Sequence, residues 1–517
     1  MPDIVLIKAN NQKRLYQGLS EDVSAIEPPL WLILTAAYLR DKGFSVRVID
    51  AEAENLDEQE TAARALAAKP LFVSVIVSGT NPNASTCNMP GAGKVLAALK
   101  TLSPATPRAI AGLHPSALPE QTLREEAVDF VMVGEGFTTH AELLAALQNG
   151  KARQGSLGEG GQISDLPSGA APDLFDSIRG GLARDFSIKG LWYLRGGKIV
   201  SNPRPDNIQD LGSLPMPAWD LLDMSRYRAH NWHCFGHLNE RAPYAVVYTS
   251  LGCPFHCGFC CISAIFGGPG IRYRPTEKVL EEIDFLVKNY RVKNIKILDE
   301  LFAMKWDHVE AICDGVIQRG YDLNFWVYGR IDTVKEYMLP KMKQAGINWI
   351  AYGIEAGTKK VRDAVSKGRF NEEDIKDIVR KTHAAGIEVV ANFIFGLPDD
   401  DLESMRATLA LAKELNCAYP NFYCAMAYPG SQLYLDAIRE GWPLPQSWSS
   451  YAQLSRDCLP LPTQHLTSGA ILKFRDAAFD DYCQDVRYLN RLRERFGEAE
   501  VAHMQKVCEK KLVRDNY

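Results

Sequence analysis

Twice along the chain, short apolar runs alternate with helix-forming stretches, and this alternation restricts the architecture more than any other feature. In the first 150 residues, IVLIKA (4–9), FSVRVID (44–50), LFVSVIVSG (71–79), PRAIAG (107–112) and VDFVMVG (128–134) read as strands. PPLWLILTAAYLRDKG (28–43), DEQETAARALAAK (57–69), MPGAGKVLAALK (89–100), PEQTLREE (119–126) and FTTHAELLAALQNG (137–150) read as the helices that follow them. Pro29 near the first turn and Gly43 beyond the last mark the ends of the first helix. The third strand is apolar almost throughout, as befits a central parallel strand covered on both faces. Five such units predict an α/β domain with a doubly wound, Rossmann-like sheet, whose ligand crevice lies at the carboxyl ends of its strands.

Polar residues gather at those ends, in VSGTNPNAS (77–85), GLHPSALP (112–119) and GEG (134–136). Glycines there let a ligand approach the backbone, and Ser, Thr and Asn offer neutral hydrogen bonds. The loops suit a nucleotide-like or other large cofactor without choosing between them; strand ends also need turn residues for their own sake. No G-x-G-x-x-G follows the first strand, which argues against a dinucleotide fold.

KARQGSLGEGGQISDLPSGAAPD changes the composition abruptly and places a boundary at about residue 150. FSIKGLWYLRGGKIVSNPRP (186–205) reads as a hairpin turning at Gly196-Gly197. HNWHCFGH then brings His230, His233, Cys234 and His237 close together in sequence. Their spacing fits no closed zinc pattern, so hydrogen-bonding or substrate-facing roles are expected of them.

From residue 244 the alternation resumes. YAVVYTSLG (244–252), NIKILDE (294–300), LNFWVYGR (323–330), WIAYGIEAG (349–357), EVVANFIFGLP (388–398) and PNFYCAMAYPGS (420–431) read as six strands. Of the helices between them, 275–290 has Thr276 as its expected N-cap, and 371–386 has Asn371 and Gly386 as its caps. Six units predict a partial (β/α)6 TIM-type barrel with its active site at the carboxyl-terminal face. The expected organisation is a first domain at 1–150, a linker at 151–243, the barrel at 244–435 and a helical region at 436–517, in which 474–497 is the clearest helix. That region and the 214–243 stretch are expected to cover the barrel mouth.

Directly after the first barrel strand stands GCPFHCGFCC (252–261), with four of the 12 cysteines. Cys253, Cys257 and Cys260 form C-x3-C-x2-C, and Cys261 is the spare. Three thiolates on one loop can hold three irons of a [4Fe–4S] cluster and leave the fourth iron to a ligand that is not protein. A structural zinc site wants four ligands, usually in pairs. A thioredoxin-like dithiol has no third cysteine. The other cysteines are scattered, a reduced cytosolic pattern and not a disulfide framework. The longest apolar runs fall short of the about 20 residues that cross a bilayer, and MPDIVLIKANN lacks the layout of a secretory signal, so a cytoplasmic protein is expected. A net charge of −5 and a pI near 6.1 argue against a general nucleic-acid binder.

With Phe259 just before the third cysteine, the loop resembles that of the radical S-adenosylmethionine superfamily. The resemblance implies that the amino and carboxylate groups of S-adenosylmethionine chelate the open iron, and that electron transfer cleaves the sulfonium to a 5′-deoxyadenosyl radical. It also implies cofactor contacts at Phe259, at Asp299 and Glu300 ending the second strand, and at Arg330 ending the third. Glu355 in YGIEAG, and Asn392, Ile394 and Gly396 in NFIFGLP, complete the implied set; a structural salt bridge is the other reading of Glu355.

An open α/β domain before such a barrel resembles the cobalamin-dependent radical S-adenosylmethionine enzymes, the class B methyltransferases in particular, over roughly residues 1 to 435. PPLWLILTAAYLRDKGFSVRVIDAE, SGTNPNAS and GLHPSALPEQTLREEAVDFVMVGEG carry that likeness. The implied cobalamin contacts are Ser78, Gly79, Thr80, Gly112, Leu113, His114, Pro115, Gly134, Glu135 and Gly136. D-x-H-x-x-G occurs nowhere, and His114 lacks both the preceding acid and the following glycine. The implied cobalamin is therefore base-off, without histidine ligation, and His114 touches the corrin rim. The implied activity is methylation of an unactivated carbon, sometimes phosphorus, of a small molecule, through the 5′-deoxyadenosyl radical and methylcobalamin. An external electron donor of flavodoxin or ferredoxin type is implied as well. Two other readings stay open: a non-methylating cyclisation or rearrangement on the same cofactors, and a cobalamin-binding sensor with a degenerate barrel. A tRNA methylthiotransferase would carry more cysteines in its first domain, where Cys87 is the only one before Cys234.

Overall fold

The computed structural model of the chain describes residues 1–20, 23–79, 82–155 and 186–517. Its first sheet runs β2-β1-β3-β4-β5-β6-β7. β1 (Ile4–Lys8), β2 (Val46–Asp50), β3 (Phe72–Val77), β4 (Arg108–Gly112) and β5 (Phe130–Met132) are parallel, with β3 buried at every residue. β6 (Leu191–Arg195) and β7 (Lys198–Ser201) form the hairpin assigned by composition to the linker. It adds to this sheet as antiparallel strands, with Leu191 opposite Met132.

The second sheet runs β15-β14-β13-β12-β11-β8 and forms the expected partial barrel. Its strands are β8 (Tyr244–Val247), β11 (Asn294–Ile297), β12 (Asn324–Arg330), β13 (Ile347–Glu355), β14 (Glu388–Phe395) and β15 (Tyr419–Cys424), all parallel. Between β8 and β11 lies a short antiparallel pair, β9 (Ser250–Leu251) with β10 (Arg272–Tyr273). Side chains alternate along a strand, so Trp326, Tyr328 and Arg330 of β12 form a column from one end of the lumen to the other.

Two local expectations change. Pro275 occupies the N-cap position and Thr276 is the first helical residue of Thr276–Tyr290, as a residue with a fixed φ can open a helix without donating. The 474–497 stretch is two helices, Ser468–Cys483 and Val486–Arg495, divided where the Asp485 side chain accepts from the Arg487 N–H and starts the second. Asn371 does cap its helix, in a reciprocal capping box with Asp374.

The 214–243 stretch covers the amino-terminal mouth of the barrel and not the carboxyl-terminal one. Trp232 meets Trp326, Trp349 and Tyr419 at centroid distances of 5.0, 5.6 and 5.9 Å. The C-terminal helices close the same end: Tyr482 and Tyr488 donate to the carbonyls of Cys417 and Ala418, and Arg491 and Arg495 pair with Glu388. The segment around Trp448 instead packs on the first domain, its ring 4.4 Å from that of His114.

Buried charge joins the two sheets. Glu27 pairs with Lys296 inside the barrel at 2.8 Å, and Tyr244 donates to the same carboxylate at 3.2 Å. Among the described residues no helix is long and apolar enough to cross a membrane.

Candidate functional site

The chain leaves β8 through Thr249 and Ser250, and Asp299 at the end of β11 fixes both. One Asp299 oxygen accepts the Thr249 N–H at 2.6 Å; the other accepts the Thr249 and Ser250 hydroxyls at 2.5 and 2.7 Å. Asp299, expected at the cofactor, is fully buried and committed to the strand-end loop. Glu300 accepts the Gly252 N–H at 2.9 Å, and its carboxyl is pushed up to about 8, by burial first and by Asp299 beside it.

Gly252 has φ +93°, and a Cβ there would lie 2.4 Å from the Gly270 carbonyl oxygen, so the turn into the cysteines requires glycine. The loop is then pinned from several sides. Gly270 donates to the Cys253 carbonyl at 3.0 Å, Gly258 to the Val365 carbonyl at 3.0 Å, and Leu433 to the Gly258 carbonyl at 2.9 Å. Of the 12 cysteines only Cys253, Cys257 and Cys260 are half-buried; Cys261 and the others are buried. Burial pushes the Cys253 thiol up and the Cys260 thiol up to about 12. Ionised ligation therefore calls for the positive charge of bound metal, and three half-buried thiols of one pinned loop, with the neighbouring Cys261 buried, fit a [4Fe–4S] cluster.

Arg330 reaches this loop. Its guanidinium lies 3.5 Å from the Cys257 sulfur and 3.8 Å from the Phe255 ring centroid, and Asp332 holds it by two bonds of 2.8 and 2.9 Å. Glu355 sits at a register shift of β13, with φ +68°, and pairs with buried Lys367. The Lys367 ammonium lies 5.6 Å from the Phe259 ring centroid. Ile394 packs in the small cluster that Phe259 and Tyr423 adjoin. Asn392 donates to the Tyr352 carbonyl and accepts from Asn421, at 3.0 and 2.9 Å. Gly396, φ +79°, donates to Asp400 at 3.0 Å; a Cβ would lie 2.7 Å from Ile471, so this glycine admits the C-terminal helix.

Below the cysteine loop three half-buried phenols, those of Tyr248, Tyr328 and Tyr423, make no hydrogen bond among the described residues. Lys296 lies under Tyr328, 5.7 Å from its ring centroid and 4.7 Å from that of Trp326. The sequence reading missed these phenols, although the period-2 positions of β12 point to Tyr328. It also missed Lys367, which no strand pattern marks.

On the first domain, the Ser78 carbonyl accepts from Asn88 at 2.8 Å, Gly79 follows it, and Thr80 lies outside the described residues. Gly112, φ +131°, lets β4 approach β3: a Cβ would lie 2.2 Å from the Val77 oxygen. Leu113, His114 and Pro115 form a buried helical turn and not an open loop. His114 is fully buried, with Nδ1 3.1 Å from the Thr86 hydroxyl, its ring steeply inclined to that of Trp448 and Nε2 without a partner. Burial pushes it down to about 3, so it is neutral. Gly134 donates to Ser116 at 3.0 Å, and the Gly136 carbonyl accepts from His140. Glu135, expected at the ligand, ties the domains together: it pairs with Arg272 of β10 at 2.6 Å and accepts the Ile208 N–H at 2.8 Å. The buried, unpartnered Nε2 of His114 and the glycine turns around it fit a large ligand with amide groups on its rim.

The histidines of 230–237 serve the barrel floor. His230 Nδ1 lies 3.2 Å from the Val23 carbonyl, His233 Nε2 donates to the Asn324 carbonyl at 3.0 Å, and His237 is exposed. Among the described residues no three His, Cys, Asp or Glu side chains converge on a single metal ion.

The Radical SAM superfamily model matches residues 247–412, and the B12 binding domain model matches residues 17–144. The chain belongs to the radical S-adenosylmethionine enzymes that carry a B12-binding domain. Within this family, an uncharacterized methyltransferase of Pyrococcus horikoshii is 29% identical over 88% of this chain and 88% of its own length. The anaerobic magnesium-protoporphyrin IX monomethyl ester cyclase of Rubrivivax gelatinosus is 24% identical over 81% of this chain and 68% of its own. The radical S-adenosylmethionine methyltransferase TsrM of Kitasatospora setae, solved with cobalamin and a [4Fe–4S] cluster, shares the fold at a TM-score of 0.65 and 16% identity, covering 93% of this chain and 88% of its own. The cysteine loop and the strand ends that carry Asp299, Arg330, Glu355 and Gly396 fall within the first match, and residues 78–136 of the first domain within the second.

Proposed function

We propose that this protein is a cobalamin-dependent radical S-adenosylmethionine methyltransferase, acting on an unactivated carbon or a phosphorus of a small molecule. One contact carries the reading. At Gly430 the turn after β4 and the cysteine loop meet: a Cβ there would lie 2.8 Å from Ala264 Cβ, 3.2 Å from Ala117 Cβ and 3.6 Å from the Cys261 carbonyl oxygen. The crevice of the first domain and the half-buried cysteines of the second thus adjoin one junction. Two cofactors that must act on one substrate need such a junction.

Cys253, Cys257 and Cys260 would hold the cluster. Phe259, Glu300, Arg330, Glu355, Asn392, Ile394 and Gly396 would flank S-adenosylmethionine, with Asp299 supporting the loop from behind. Ser78, Gly79, Gly112, Leu113, His114, Pro115, Gly134 and Gly136 would line the cobalamin side. The absence of D-x-H-x-x-G from the chain supports a base-off cobalamin with no histidine on cobalt. When bound, the cluster with S-adenosylmethionine supplies one-electron cleavage of the sulfonium, and cobalamin supplies methyl transfer. The chain's own residues orient and exclude. Arg330, held by Asp332, keeps a positive charge beside the Cys257 sulfur; the Trp232 floor shuts out water from below; the three free phenols offer a substrate neutral hydrogen bonds. The electron comes from an external flavodoxin- or ferredoxin-type donor.

The Pyrococcus relative's designation as a methyltransferase supports methylation, and the Rubrivivax cyclase supports a second reading, a radical cyclisation on the same cofactors. Anaerobic reconstitution with iron, sulfide, cobalamin, S-adenosylmethionine and reductant separates them. Both 5′-deoxyadenosine and methylcobalamin are expected. Deoxyadenosine alone favours cyclisation, and neither product from cluster-loaded protein sinks both.

A further inference from the structure

Lys367 is buried, 6% exposed, in the turn between helices Lys359–Ala364 and Glu372–Ala384, and it points back into the barrel. Burying a lysine is costly unless an anion meets it, and three separate features converge to supply that meeting. Gly353 has no Cβ; one placed there would lie 2.4 Å from the Lys367 nitrogen and 2.5 Å from a Glu355 oxygen. Glu355 takes a left-handed φ of +68° at the strand's register shift, a conformation costing a non-glycine residue about 1–3 kcal/mol. The turn itself is locked, because buried Arg362 donates to the carbonyls of Ala356, Gly357 and Phe370.

The same turn grips the cysteine loop. Gly258, between two cluster cysteines, donates to the Val365 carbonyl at 3.0 Å. The Lys367 ammonium faces the Phe259 ring, and the Arg369 guanidinium faces the Phe255 ring at 5.4 Å. Glu355 uses one oxygen, Oε1, for Lys367, which leaves Oε2 to accept from a ligand.

Resting on the function proposed above, we infer that Lys367 is a positioning residue of the S-adenosylmethionine site, which holds the Glu355 carboxylate aimed while seating Phe259 against the cysteine loop. The two functional roles meet in one ammonium. Losing it frees the strained carboxylate and unseats the ring together, whereas Arg keeps the charge and the cation–π contact.

The test is a titration of S-adenosylmethionine into reduced, cluster-loaded protein, followed by the change in the electron paramagnetic resonance spectrum of the cluster. K367M is expected to raise the half-saturating concentration about 10–100-fold, the usual loss on removing the partner of a site residue. K367R is expected to stay near wild type, and E355Q/K367M to be no worse than E355Q. Unfolding of K367M and its iron content are measured alongside. An unmoved titration in K367M, a K367R as poor as K367M, or iron lost in proportion to binding would each overturn the inference. A cluster-loaded wild type whose spectrum ignores S-adenosylmethionine would instead overturn the proposed function itself.

Discussion

At the amino-terminal mouth of the barrel, Trp232 is wedged among Trp326, Trp349 and Tyr419, and His233 and Cys234 beside it are buried. At the carboxyl-terminal mouth stand three cysteines, an aromatic and two glutamates, several of them half-buried. Cysteine and aromatic residues furnish both ends, so these residue types do not separate them. What distinguishes the floor is a network of side-chain amides, although His233 Nδ1, Trp326 Nε1 and Asn231 Oδ1 there lack a partner among the described residues. At the floor, Asn324 donates to Asn294 and to the His233 carbonyl, Asn348 donates to Asn324, and His233 returns a bond to the Asn324 backbone. At the other end the phenols of Tyr248, Tyr328 and Tyr423 are unspent among the described residues, and Glu355 adopts a strained backbone. One mouth is closed by aromatic packing, and the proposed function puts the ligands at the other, the usual division in barrels of this type.

The largest expected effect that would sharpen this contrast comes from Trp232→Ala. It should cost about 3–5 kcal/mol in chemical denaturation, while folded protein still takes up a full cluster. Cluster loss with little change in stability would erase the distinction between the mouths.

Next comes pH. Burial holds His233 down to about 3, against about 6.5 for an unfolded histidine. The unfolded chain therefore binds the proton first as pH falls. The stability this histidine contributes is fully present above about 6.5 and drains away below it, by up to about 1.4 kcal/mol per pH unit. His233→Asn should flatten the loss of the denaturation midpoint between pH 6.5 and pH 5; an unchanged slope would mean that the floor does not depend on a neutral histidine.

Smaller still is Tyr244→Phe, which deletes the 3.2 Å bond to Glu27 and should cost about 1–2 kcal/mol. Tyr328→Phe removes a hydroxyl with no partner among the described residues and should leave stability within about 0.5 kcal/mol of wild type. Equal losses at the two tyrosines would show that the upper phenol is spent after all.

Much of this was legible in the sequence where the signal is local. The parallel strands of both sheets follow from runs of apolar residues, and Asn371 was readable because its capping partner Asp374 is three residues away. Cys253, Cys257 and Cys260 stand out in the sequence because one loop carries them all, and their proposed cluster rests on that loop. Legibility fails where the deciding neighbour is remote. The hairpin around Gly196 reads as a free hairpin until Met132 is seen across from Leu191. Asp299 and Glu135 look ligand-facing at strand ends, yet Thr249 and Arg272, distant in sequence, have claimed them. Lys367 has no periodic signature at all; only the Gly353 gap and the twist at Glu355 bring it into the site.

The most direct measurement is iron and sulfide content, with the cluster's visible absorbance, in four single variants reconstituted side by side. Cys253→Ala, Cys257→Ala and Cys260→Ala should each fail to hold a [4Fe–4S] cluster, and Cys261→Ala should hold one that still responds to S-adenosylmethionine. Cluster loss in Cys261→Ala, with retention in Cys260→Ala, would contradict the assignment of three thiolates and one open iron.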